Sequence, residues 1–358
     1  MTESRRPKDV ETHIGEHKLD PSTLMMGYGF DPALSEGSLK PPIFLTSTFV
    51  FDTAAEGKRF FQGITNKHGS GGKAEGLVYS RFNGPNAEIL EDRLKIWEDA
   101  EAALTFSSGM TAIAILLLTF VRPGDVVVHS GPLYAATETI INKILTQFGI
   151  HYINLPAGAT REELDEVMPR AKAKGRVALI YLESPANPTN ALVDVEAVAA
   201  ARNAAFPGAQ RAPIAIDNTF LGPLWAHPIK QGADISVYSL TKYAGGHSDL
   251  VAGGLVGRQG LIDQVRMMRN TIGTICDPNT AWMLLRSLET LELRMQRAGE
   301  NADKVCAFLK DHPKVESVGY LGFLEEGSRQ ADIYKRHCTG AGSTFSLYLK
   351  GGEKEAFA

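Results

Sequence analysis

Four short stretches of the chain combine residue types that can do chemistry: SSGM (107–110), ESPANP (183–188), DNT (217–219) and SLTK (239–242). Taken singly, each reads as a helix N-cap or a turn. Taken together they share a position, since each follows an apolar, β-branched run. Open parallel sheets bind ligands just beyond the carboxyl ends of their strands. Ser107, Ser108 and Gly109 leave one such run and open a helix beginning near Met110. Backbone N–H groups and the helix dipole at that position favour an anion. It is not a Walker loop, because Gly72 and Lys73 are followed by Ala74 and Lys67 stands where the first glycine should be. No GxGxxG is present either. A phosphate held there belongs to something other than a P-loop nucleotide or a Rossmann dinucleotide.

Lys242 narrows the chemistry. It ends a strand, follows the hydroxyls of Ser239 and Thr241, and precedes Gly245, Gly246 and His247, a poor setting for a solvated charge. A lysine withdrawn from water has a lowered pKa and becomes a nucleophile able to form a Schiff base. Asp217 ends a neighbouring strand, so its carboxylate can point into the same cleft. A Schiff-base lysine, an aspartate for a pyridinium nitrogen and a phosphate cup are what pyridoxal phosphate chemistry asks of a protein. His247 reads as a packing or turn-capping residue. His13, Glu16 and His17 match an HxxEH zinc spacing, but Gly15 and a non-helical setting argue against a metal, and no metal site is expected.

The elements that position these residues are legible from the hydrophobic pattern. Strand-like runs at 103–106, 126–130, 150–155, 177–183, 213–217 and 235–240 alternate with helical windows at 110–121, 135–148, 161–173 and 195–205. That alternation predicts βαβ units and a mostly parallel sheet covered on both faces. RPGD (122–125) and FPG (206–208) stop two of the helices. Residues 1–76 are polar, rich in Gly and Pro, and weakly periodic, with Ile43–Phe51 extended; such an arm is expected to lie along another part of the protein or a partner subunit. A long helical stretch from Ala281 to Asp311 and strand candidates at 315–320 and 343–349 predict a second, smaller domain. The expected division is an arm over 1–76, a cofactor-binding domain over 77–285 and a C-terminal αβ domain over 286–358, read as incomplete.

Composition excludes other classes. The 358 residues carry 37 basic and 41 acidic side chains, a net charge of −4, which gives no hint of nucleic acid or an anionic membrane as partner. Hydrophobic residues at 44% and charged ones at 22% rule out disorder for the bulk of the chain. Cys276, Cys306 and Cys338 are too scattered for a disulfide framework and read as reduced thiols. The first residues lack a signal-peptide core, and the longest apolar run, Ala112–Val121, is far short of the roughly 20 residues that a membrane span needs. A soluble, cytoplasmic protein is expected.

The segment DISVYSLTKYAGGHSD (234–249) resembles the cofactor-lysine signature of the Cys/Met-metabolism pyridoxal-phosphate enzymes, the trans-sulfuration family that includes cystathionine γ-synthase, the cystathionine lyases, methionine γ-lyase and the O-acylhomoserine sulfhydrylases. YSRFNGPN (79–86), SSGMTAI (107–113), GPLYAATE (131–138), ESPANPTN (183–190) and DNTFLGPLWAHPIKQGAD (217–234) extend the likeness in order and spacing. It implies an α/β fold of the aspartate-aminotransferase type (fold type I) with pyridoxal 5'-phosphate as cofactor. It implies that Lys242 holds the cofactor and then shuttles protons, that Asp217 pairs with the ring nitrogen, and that Tyr134 stacks on the ring and serves in proton transfer. The phosphate would be bound by Gly109 and Met110 N–H groups, with Ser108 beside them, and by the hydroxyls of Ser239 and Thr241. Asn187 and Thr219 would stand beside the ring. Tyr79 and Arg81 would reach the phosphate of a partner subunit, within a homotetramer built as a dimer of dimers.

Several departures bear on the reaction. Methionine γ-lyases usually carry a Cys two residues after the stacking Tyr, where Ala136 stands here. The loop between Phe60 and Leu77 is longer than in typical members, and Gly84, Pro85 and Asn86 replace a usual Asn-Pro-Thr turn. Family members run several tens of residues further, and the arginine that clamps the substrate carboxylate is expected there. The resemblance favours γ-replacement on an O-acylhomoserine, with γ- or β-elimination or an inactive cofactor-binding fragment as alternatives. An aminotransferase of the same fold is a weaker one.

Overall fold

The structure is a computed structural model that describes residues 12–65, 77–208 and 211–357. The Walker-like residues Lys67, Gly72, Lys73 and Ala74, and most of the long loop before Leu77, lie outside the described residues.

Seven strands form one mixed sheet: β1 (Ala102–Phe106), β2 (Val126–Gly131), β3 (His151–Pro156), β4 (Val177–Glu183), β5 (Ile214–Asp217), β6 (Ile235–Ser239) and β7 (Gly253–Gly257). Their order is β1-β7-β6-β5-β4-β2-β3. Apolar runs with both faces covered account for the strands, and every residue of β1, β4 and β7 is buried. Pairings among β2 to β6 are parallel, whereas β1 and β7 are antiparallel. β7 escapes a propensity reading because GGLVG carries three glycines, a residue depleted in strands. Its glycines serve close packing instead. A Cβ on Gly253 would lie 2.1 Å from the Ser108 carbonyl oxygen, so only glycine lets the 107–109 turn approach this strand.

The helices used below are α1 (Ala54–Thr65), α2 (Pro85–Ile96), α3 (Gly109–Phe120), α4 (Ala135–Thr139), α5 (Arg161–Lys174), α6 (Val195–Ala205), α7 (Gln259–Ile272), α8 (Pro278–Leu288), α9 (Leu291–Lys310) and α10 (Arg329–His337). Their starts are written in the sequence. Thr160 and Glu163 form a capping box on α5, and Asp194, Asp277 and Ser328 cap α6, α8 and α10. Two expected helices are divided. Residues 135–148 form α4, a π turn over Ile140–Ile144 and a 3-10 turn over Leu145–Phe148, where β-branched Thr and Ile crowd an α-helix. The stretch from Ala281 breaks between α8 and α9, where both the N–H and the hydroxyl of Thr290 bond the Ser287 carbonyl.

The chain divides into two compact units. The first comprises residues up to Ile115 with Ser239–Leu291. In it Glu91 of α2 and Arg269 of α7, each 2% exposed at the side chain, pair at 2.6 Å. Arg269 also donates to the carbonyls of Thr105 and Phe82. The arm segment 43–51 is irregular where extension is expected: the Leu45 and Thr46 N–H groups turn back to the Ile43 and Phe44 carbonyls, and Thr48 alone bridges to Tyr79. The second unit comprises Leu116–Tyr238 with residues from Glu292 onward. Its core joins Val126, Val128, Ile180, Leu182, Ile214 and Ile216 of the parallel strands to Leu164, Val167, Val195 and Val198 of α5 and α6. A two-stranded ladder, β8 (Val315–Gly319) with β9 (Ser346–Leu349), completes it. Among the described residues, no helix is long and apolar enough to cross a membrane.

Candidate active site

In the first unit the expected phosphate residues lie at a helix start and a strand end. Ser108 is the residue before α3, and its hydroxyl accepts the Thr111 N–H at 3.0 Å while its carbonyl accepts the Ala112 N–H. Gly109 and Met110 therefore occupy the first helical positions. A Cβ on Gly109 would stand 3.1 Å from both Cα and Cβ of Ser239, so the turn and the end of β6 are in close approach. Thr241 bonds across its own loop: its hydroxyl donates to the Ala252 carbonyl at 3.2 Å and accepts the Ala252 N–H at 3.1 Å.

Lys242 is placed differently from the sequence expectation. β6 stops at Ser239, and the Lys242 N–H donates to the Ser239 carbonyl at 3.1 Å, so the lysine sits on a turn and not at the strand end. Its side chain is exposed, although Leu240 and Ala244 of the same turn are buried. Tyr79 and Arg81 follow the bridge to Thr48. Arg81 donates to the Asn270 carbonyl at the end of α7, and its guanidinium lies 4.6 Å from the Phe82 ring centroid. Tyr79 is 41% exposed.

The second unit brings together an acidic pair. The parallel register of β4 and β5 sets Glu183 opposite Asp217, so two carboxylates end adjacent strands at the same level. Asp217 accepts the Thr219 hydroxyl at 2.6 Å and the Thr219 N–H at 3.1 Å. Desolvation outweighs those bonds and pushes the Asp217 pKa up. Glu183 is 3% exposed. Burial first, then the charge of Asp217, raises its pKa to about 7, against the pull of two backbone N–H donors. Those donors are Tyr134, at 2.7 Å, and Asn187, at 2.9 Å. Tyr134 is the residue before α4, with its side chain half exposed. Tyr181, two residues before Glu183 on the same strand, has its phenol pKa raised well above the usual value by burial and by both carboxylates.

The donor set suits pyridoxal phosphate. Among the described residues, Asp217 is bonded only to the neutral groups of Thr219, and a desolvated carboxylate without a cation is suited to a protonated ring nitrogen. The glycine-lined helix start suits a phosphate, and Lys242 supplies an amine. Sequence reasoning placed Glu183 in a polar cluster but gave it no role. The signal was available, since its position in ESPANP matches that of Asp217 in DNT. Asp194, Glu196 and His337 also cluster. Arg336 lies between the carboxylates, at 2.6 Å from Asp194 and 2.8 Å from Glu196, and accounts for that group as an ion-pair network joining α6 and α10.

Comparisons with known proteins bear on the family and its cofactor. The chain is 37% identical over 318 residues to L-methionine gamma-lyase of Fusobacterium nucleatum subsp. nucleatum, covering 88% of this chain and 75% of that protein. It is 34% identical over 338 residues to cystathionine gamma-synthase of Mycobacterium bovis, covering 94% and 79%. The solved structure of metB from Corynebacterium glutamicum superposes with a TM-score of 0.81 at 30% identity, covering 94% of this chain and 80% of that one. Cystathionine gamma synthase from Xanthomonas oryzae pv. oryzae, solved with aminoacrylate and cysteine, gives 0.80 at 29%, again covering 94% and 80%. The family model for Cys/Met metabolism PLP-dependent enzymes matches residues 22–358, and the chain belongs to that family of pyridoxal-phosphate enzymes of sulfur amino acid metabolism.

Proposed function

We propose that the protein catalyses γ-replacement on an O-acylhomoserine, exchanging the acyloxy group for the sulfur of cysteine or sulfide. Pyridoxal phosphate, when bound, supplies an electron sink for charge that develops at the substrate α-carbon. Lys242 Nζ anchors the cofactor and then moves protons at Cα and Cβ, because γ-chemistry takes a proton from each. Asp217 holds a proton on the ring nitrogen. Tyr134, Asn187 and Thr219 would line the ring. Ser108, Gly109, Met110, Ser239 and Thr241 bind the phosphate. Tyr79 and Arg81 serve the site of a partner copy in a homotetramer, with the 1–76 arm against that partner and residues 286–358 forming the smaller domain. Placement in the cytoplasm belongs to the same reading.

Ala136 carries the choice of reaction. It lies in the first turn of α4, half-buried and two residues from Tyr134, and presents a methyl group where the resemblance places a thiol in methionine γ-lyases. Elimination from methionine is the second reading, supported by six methionine gamma-lyases at 33–37% identity. The test is a product assay of the holoenzyme. O-succinyl- or O-acetylhomoserine with cysteine or sulfide should yield a thioether or homocysteine faster than methionine alone yields keto acid and ammonia. The reverse order would favour elimination.

A further inference from the structure

Glu183 ends β4 with its side chain out of solvent and both oxygens on backbone donors from two different loops. Oε2 accepts the Tyr134 N–H at 2.7 Å, and Oε1 accepts the Asn187 N–H at 2.9 Å. Its own N–H donates to Ser130 Oγ at 2.9 Å, and Ser130 lies near the end of β2, the strand that leads into the Tyr134 loop. Glu183 thus ties that loop, the end of β2 and the 184–190 loop at one point each. Burying a carboxylate without a cation is costly, and a neutral side chain would cap one donor at lower cost. What a carboxylate offers here is two equivalent acceptors on one rigid group, reaching two N–H groups in different directions.

We infer that Glu183 is a positioning residue that fixes Tyr134 and Asn187 relative to the ends of the parallel strands, and through them sets the orientation of the cofactor ring. The inference rests on the reading that Tyr134 lies against that ring. Gln at 183 keeps one acceptor and turns its NH2 group toward a backbone N–H, so one of the two loops loses its tie. Asp keeps the charge but is one methylene short of both donors.

The direct test compares the holoenzyme with Glu183→Gln, Glu183→Asp and Tyr134→Ala. The readouts are visible circular dichroism of the bound cofactor, equilibrium affinity for added pyridoxal phosphate, and melting temperature. Both Glu183 variants should lose about half or more of the visible dichroism and weaken affinity about ten-fold, the scale of one charge-assisted hydrogen bond. Glu183→Gln added to Tyr134→Ala should remove less dichroism than it removes alone, since only the part acting through Asn187 remains. Unchanged dichroism and affinity in both Glu183 variants, beside a clear loss in Tyr134→Ala, would overturn the positioning role alone. An unaltered Tyr134→Ala would instead overturn the reading on which it rests. If the Glu183 variants do not fold, hydrogen exchange of the unmodified holoenzyme decides: the Tyr134 and Asn187 amides should both be protected, and exchange of both at the rate of exposed amides would overturn the proposal.

Discussion

The turn residues of the first unit and the strand-end carboxylates of the second are built on opposite physical plans. Around Gly109 and Lys242 the fixed parts are neutral: a capped helix start, hydroxyls bonded to nearby backbone, and glycines that permit close approach. The charge there sits on the long, exposed side chain of Lys242. At the ends of β4 and β5 the charges themselves are fixed. Glu183, buried, and Asp217, half-buried, end paired strands, and each accepts backbone N–H groups. A phosphate, already a strong anion, needs only donors and a mobile cation. A ring nitrogen that must stay protonated needs a carboxylate whose place does not change.

Substitutions sharpen the contrast. The largest effect is expected from Asp217→Ala, which removes the fixed charge: turnover should fall by ~10²–10³-fold, the scale for losing an aimed electrostatic group. Cofactor should still bind, though more weakly, which absorbance titration would show. Retention of most turnover would mean that another acid protonates the ring. Arg81→Ala removes a guanidinium held against the Asn270 carbonyl and the Phe82 ring, and cofactor affinity should fall by about ten- to a hundred-fold, equivalent to about 1.4–2.8 kcal/mol. If Arg81 serves a partner's phosphate, mixing that variant with Lys242→Ala chains restores partial activity, because one of the two sites escapes both defects. No recovery from heterodimers shown to form would confine Arg81 to its own subunit or to no site.

The smallest effect concerns pH. Glu183 titrates near 7 in the folded protein against an ordinary value of 4.5, so the folded state holds an extra proton between those values. Stability from this group is therefore full below about pH 4.5 and is lost as pH rises through about 7, at up to about 1.4 kcal/mol per pH unit. Asp217, shifted in the same direction, adds to the slope, and the Tyr181 phenol stays neutral throughout. Denaturant unfolding of the cofactor-free protein should show this decline, and Glu183→Gln should flatten it. An unchanged slope in the variant would assign the decline to other groups.

Much of this organisation is legible in the sequence, for identifiable reasons. The runs at 177–183 and 195–205 match β4 and α6 residue for residue, because full burial and an Asp194 cap leave little freedom at their ends. β7 was hidden by its glycines, whose function is steric and lies in a turn more than a hundred residues away. Glu183 was hidden differently. A glutamate at a strand end reads as a turn residue until the register with Asp217 and the N–H donors of Tyr134 and Asn187 are seen, and those depend on tertiary structure. The exposure of Lys242 follows from three residues of turn that no periodicity marks.

The central claim is that the exposed amine on the turn after β6 is the group that holds the cofactor. Borohydride reduction of the holoenzyme, followed by proteolysis and mass spectrometry, tests it directly. The reduced pyridoxyl phosphate should be found on Lys242 and on no other lysine. Its recovery on a different lysine, or the absence of any modified peptide from protein that carries the visible band, would contradict the assignment.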